Sequence, residues 1–129
     1  MMSESYGEFY VDGFACYLHG EVRKHYNDLV IKGFPTYVLE LVFYPQSYKD
    51  DDEQKFVEDH TYYFSCEGMV NEYLKDGDNP KSAEYYIDTW TDTMIQYNRC
   101  YVGVFDAVRK FYAEQFHKFL EFYNKTVTK

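Results

Sequence analysis

Large apolar side chains recur every three or four positions over residues 100–125, CYVGVFDAVRKFYAEQFHKFLEFYNK. Tyr101, Val104, Phe105, Val108, Tyr112, Phe116, Phe119, Leu120 and Tyr123 share one side of a helical repeat. Asp106, Arg109, Lys110, Glu114, His117, Lys118 and Glu121 fall on the other. The spacing predicts an amphipathic helix whose aromatic face the rest of the chain must cover. A second helical repeat precedes it. Asn79 as cap and Pro80 in the first turn predict its start. Ala83, Ile87, Trp90, Met94 and Tyr97 form its expected inward face. Asn98 and Arg99, or Gly103, separate the two segments, either as an αα-hairpin or as a bend in one helix.

Upstream the period shortens to two. Runs at 9–11 (FYV) and 14–18 (FACYL) flank Asp12 and Gly13, and Asp-Gly is a strong two-residue hairpin turn because both central positions need positive φ. Phe14, Cys16 and Leu18 share a face of the second strand. Gly20 reads as a break, and the spacing of Val22, Tyr26, Leu29 and Val30 predicts a short helix closed by Gly33. The run 36–44, TYVLELVFY, predicts a central strand ended by Pro45. The run 60–66, HTYYFSC, predicts another strand antiparallel to it, and Met69, Val70, Tyr73 and Leu74 predict one or two helical turns. Strands come first and helices last. That order predicts one α+β domain over 1–129: a small antiparallel sheet in the N-terminal half, with C-terminal helices packed on one face.

Composition sharpens the picture. The hydrophobic fraction of 46% is too high for a disordered chain, and 129 residues suit a single domain. No apolar run reaches membrane-spanning length. The first residues lack a basic region followed by an apolar one, so no signal peptide is expected. Cys16, Cys66 and Cys100 are an odd number at wide spacing, which predicts buried free thiols and a cytoplasmic protein.

The net charge is −9, and 22% of the residues are aromatic, 16 of them Tyr. An acidic surface disfavours direct contact with nucleic acid or anionic membranes and favours basic partners. The acids are unevenly spread. Asp50, Asp51, Asp52 and Glu53 form a run that predicts a solvated, mobile loop. Glu84, Asp88 and Asp92 recur every four residues on the second-last helix, with Tyr85 beside them. Like charges at this spacing destabilise a helix by a few tenths of a kcal/mol each. Among residues three or four positions away, only Lys81 carries a compensating charge.

Familiar chemistry is missing. His19, His25, His60 and His117 share no ligand spacing with each other or with the cysteines, so no metal or cofactor is expected. The thiols sit in apolar contexts, which disfavours a nucleophile. Cys66 and His60 would lie about 20 Å apart along one strand. Phosphate-loop, dinucleotide and nucleophile-elbow patterns are absent. These readings predict a non-enzymatic protein without catalytic residues. Its acidic, Tyr-rich surface would occlude a basic surface of a protein partner, such as a nucleic-acid-binding enzyme. Phage or mobile-element anti-defence inhibitors and immunity proteins for nuclease toxins work this way. The expected contact residues are Glu84, Asp88, Asp92, Asp50, Asp51, Asp52, Glu53 and Tyr85. A Tyr-lined small-molecule pocket between sheet and helices is the alternative. A homo-oligomer assembled through the aromatic surface is a third.

Overall fold

The computed structural model describes residues 2–25, 36–46, 51–100 and 102–127. Four strands precede most of the helix: β1 (Met2–Val11), β2 (Phe14–His25), β3 (Thr36–Pro45) and, after helix α1 (Asp51–Asp59), β4 (Thr61–Ser65). Helices α2 (Glu67–Asp76), α3 (Ala83–Asn98) and α4 (Phe105–Val127) follow, with one 3-10 turn at Val102–Val104. The strands form one antiparallel sheet in the order β1-β2-β3-β4. The chain is therefore α+β, as the order of its hydrophobic periods predicts.

The β1–β2 turn is the one that Asp12 and Gly13 dictate. Both have positive φ, 49° and 88°, and Val11 pairs directly with Phe14. The inward positions of β2 and β3 alternate without a gap: Cys16, Leu18, Leu39, Leu41 and Phe43 are all fully buried. Gly20 belongs to that inward row and is itself buried, so it continues the strand rather than breaking it. The helix expected from residue 21 is thereby corrected over residues 21–25, which extend β2 and pair with 36–40 of β3. Residues separated by four positions share a face in a strand as well as in a helix, so Leu18 and Val22 satisfy either period. The rest of that expected helix, 26–33, lies outside the described residues.

The acidic run is corrected too. Asp51, Asp52 and Glu53 are not in a loop; they open α1. Carboxylates in a first turn face the positive end of the helix dipole. Phe56 anchors the helix, with its ring against Phe14 at 5.4 Å.

The cap of α3 also differs from expectation. Ser82, not Asn79, occupies it, and its hydroxyl accepts from the Tyr85 amide at 3.2 Å. The face that α3 buries is centred on Tyr86, Ile87, Thr91 and Ile95, while Trp90 and Met94 are half-buried and Tyr97 is 79% exposed. Thr91 is tolerated there because its hydroxyl donates to the Ile87 carbonyl at 2.6 Å.

An αα-hairpin joins α3 to α4. The Cys100 amide donates to the Ile95 carbonyl at 3.0 Å and the Arg99 amide to Gln96 at 3.1 Å. This is a Schellman closure, and it places Arg99 in the left-handed region (φ 54°, ψ 38°) where glycine is usual. The α4 face reads as its spacing predicts: Val104, Val108, Tyr112, Phe116 and Phe119 are buried. Phe105 is half-buried. Phe116 meets Tyr73 and Tyr86 with ring centroids 5.5 Å apart, so this end of α4 packs on α2 and α3. Tyr112 reaches the sheet, donating its hydroxyl to the Ser65 carbonyl at 3.0 Å. All three thiols are buried and free. Burial pushes the Cys16 and Cys66 thiols up from their ordinary value.

Candidate functional site

The α3 acids lie where the sequence puts them. Glu84, Tyr85, Asp88 and Asp92 are all exposed along one side of the helix. Two have partners that the sequence does not reveal. Asp88 Oδ1 receives Arg109 Nε at 2.5 Å, from α4. Asp92 accepts from the Gln96 amide at 2.8 Å. Both members of the Arg109–Asp88 pair are more than a third exposed, so it contributes only ~0.2–1 kcal/mol. It still removes the apparent lack of local compensation at Asp88. Tyr85 is 39% exposed, and Lys81 Nζ stands 4.9 Å from its ring centroid. Glu53 is exposed in the first turn of α1. Asp51 and Asp52 share that turn, and Asp50 lies outside the described residues. Among the described residues no hydrogen bond or ion pair joins the α1 acids to those of α3.

The aromatic surplus resolves more sharply. Among the described residues six tyrosines are exposed: Tyr10, Tyr17, Tyr44, Tyr63, Tyr85 and Tyr97. The first four occupy the outward positions of the sheet. Their alternation partners, such as Val11, Leu18, Phe43 and Phe64, point into the core. Register sets them in rows. Glu8 pairs with Tyr17, and Tyr17 with Tyr44. Glu21 pairs with Glu40, and Glu40 with Tyr63. Arg23 bridges Glu21 and Glu40 at 3.1 Å each. A hydrogen bond to Glu40, and then partial burial, raises the Tyr63 phenol above its ordinary value. His19 meets the Tyr44 ring edge-on at 5.4 Å. The doublets split as adjacent residues must: Tyr62 inward and Tyr63 out, Tyr86 buried and Tyr85 exposed. The outward face of the sheet is thus a tyrosine field with carboxylates among it. Its rows depend on register, which sequence spacing alone does not supply.

A third feature sits at the sheet end that carries the β1–β2 turn. Tyr10, Val11, Asp12, His60, Tyr62, Arg99 and Cys100 line a cavity of about 310 Å³. His60 lies stacked on Phe56 with ring centroids 4.0 Å apart. Its Nδ1 faces the Phe56 carbonyl at 2.8 Å, and its Nε2 faces Asp12 Oδ2 at 2.6 Å. Both neighbours offer oxygen acceptors to the ring. The Tyr62 phenol is pushed up by burial, then by the negative charge of Cys100, Asp12 and Asp59 when ionised.

Among the described residues, no three of His, Cys, Asp and Glu converge to hold a metal ion. No described helix is long and apolar enough to cross a membrane. Comparison with family models, curated proteins and solved structures finds no match to this chain.

Proposed function

We propose that this chain is a protein-binding protein that lays an acidic, tyrosine-bearing surface over a basic surface of its partner. The nucleic-acid groove of an enzyme is the fitting target, and inhibition by occlusion is the fitting outcome. One observation carries the reading: four exposed tyrosines on one sheet face, Tyr10, Tyr17, Tyr44 and Tyr63, in a chain of net charge −9. Tyrosine contributes contact area and a hydrogen bond at little entropic cost, and it is enriched at interface cores. Glu8, Glu21 and Glu40 stand among the tyrosines, and among the described residues the register places Arg23 and His19 with them. The field therefore favours a basic partner.

The acids of α3 extend the same electrostatic preference without being its centre, because Asp88 is already engaged by Arg109. The test begins with capture of a partner from lysate of the source cell, or of its host. Affinity for the identified partner is then titrated at low and high salt. Tyr17→Ala with Tyr44→Ala should weaken binding by ~100-fold, as loss of a buried aromatic hot spot does. Asp88→Lys with Asp92→Lys should slow association and flatten its salt dependence. Full affinity in both folded variants would refute the reading.

A further inference from the structure

The cavity beside the β1–β2 turn is a different kind of feature from the open tyrosine field. We infer that it binds a small aromatic monocarboxylate, with Arg99 as the anion contact. Three observations converge on this.

The first is charge. Arg99, Asp12 and His60 all line the cavity. The His60 ring and the Asp12 carboxylate meet at 2.6 Å and satisfy one another. Arg99 has no ion-pair partner among the described residues. Among the described residues, Arg99 is thus the lining cation without an ion-pair partner. A guanidinium presents a planar fork that matches a carboxylate with two parallel hydrogen bonds. A dianion such as a phosphate monoester would also meet the Asp12 carboxylate, so a single negative charge fits better.

The second is backbone conformation. Arg99 holds the left-handed cap position at φ 54°, where glycine carries no steric cost. The fold accepts a strained arginine where an unstrained glycine would close the helix equally well. Strain of this kind at a cavity wall is a mark of a site.

The third is shape. Tyr10 and Tyr62 are among the lining residues, and a volume of about 310 Å³ admits one single-ring molecule with its substituent. The pieces come from three places in the chain: the end of β1 with its hairpin turn, the start of β4 and the two residues that follow α3.

The experiment is a titration of the isotopically labelled full chain by NMR, with benzoate as the probe. Phenyl phosphate and benzyl alcohol serve as dianionic and neutral comparators. The inference expects benzoate to move the Arg99, Cys100 and Tyr62 signals in a saturable way, more tightly than either comparator. Arg99→Asn keeps a residue that tolerates the left-handed cap and removes the guanidinium, so binding should weaken by about tenfold or more. Arg99→Lys keeps the charge without the fork and should fall between. Arg99→Gly should abolish binding while raising the melting midpoint, which separates loss of the site from loss of the fold. Absent or non-saturating shifts would overturn the inference, as would unchanged benzoate affinity in Arg99→Asn. Tighter binding of phenyl phosphate would overturn the carboxylate assignment, and equal binding of benzyl alcohol would overturn the role given to the charge.

Discussion

Gly68→Ala should destabilise this protein, although alanine is the better helix former. Gly68 is the second residue of α2, so the usual gain of about 1 kcal/mol for replacing an interior glycine is an upper limit there. A β-carbon at this position would stand 2.7 Å from Cη2 and Cζ3 of Trp90. Carbon atoms pack at roughly 3.5–4.0 Å, so the indole would have to retreat by about 1 Å. It is not free to do so cheaply, because Trp90 Nε1 donates to Glu72 Oε1 at 2.7 Å on the same helix. Overfilling a packed contact costs ~1–3 kcal/mol. Set against the smaller propensity gain, a net loss of about 1–2 kcal/mol follows. Urea unfolding followed by fluorescence measures it directly, since Trp90 is the sole tryptophan. Adding Trp90→Leu to Gly68→Ala should recover part of the loss, read by circular dichroism. A Gly68→Ala protein as stable as the parent, or more so, would refute the packing argument.

Two further predictions rest on the interior. Phe116→Ala removes a fully buried ring that touches Tyr73, Tyr86 and Phe119, and should cost ~3–5 kcal/mol in chemical denaturation. A cost below ~1 kcal/mol would mean that this face of α4 is not core. Stability should also fall in alkali. Burial is the leading cause that raises the Tyr62, Tyr86 and Tyr112 phenols above their ordinary value of 10.0. The fold therefore favours the neutral phenol. The unfolded chain loses those protons first, so stability holds below pH 10 and declines above it. The buried thiols act in the same sense above their ordinary value of 9.0. Melts across the alkaline range, beside a titration of phenolate absorbance, check the sign. Rising stability above pH 10 would contradict it.

How much of this could be read from the chain varies with the range of the interactions. The β1–β2 turn was fully legible, because Asp12 and Gly13 carry its φ values in their own chemistry. The inward row of α4 was legible because one strong period runs unbroken through it. Residues 21–25 were not, since a buried Gly20 looks like a break and Val22 suits either period. Helix α1 was hidden because Phe56 is the one buried anchor among its described side chains. At the site, the exposure of the α3 acids was legible from spacing. The pairing of Asp88 was not: Arg109 lies 21 residues from it and meets it only once α4 has folded back. The tyrosine rows depend on strand register, and the cavity unites positions 10–12, 60–62 and 99–100. No local pattern encodes either.

The bulge in β1 has a bearing on how copies of this chain meet one another. Among the described strands β1 forms one border of the sheet, with a row of amide and carbonyl groups that none of the others uses. Such a border invites a second molecule to add its own strand, and a chain rich in tyrosine and phenylalanine is prone to that kind of stacking. Between Ser5 and Glu8 the register slips by one residue, at a Gly7 with φ of 100°. A strand interrupted in this way is a poor template, because the incoming backbone loses alignment within a few residues. The opposite border, β4, is only five residues long. Both described borders of the sheet thus discourage fibre-like growth.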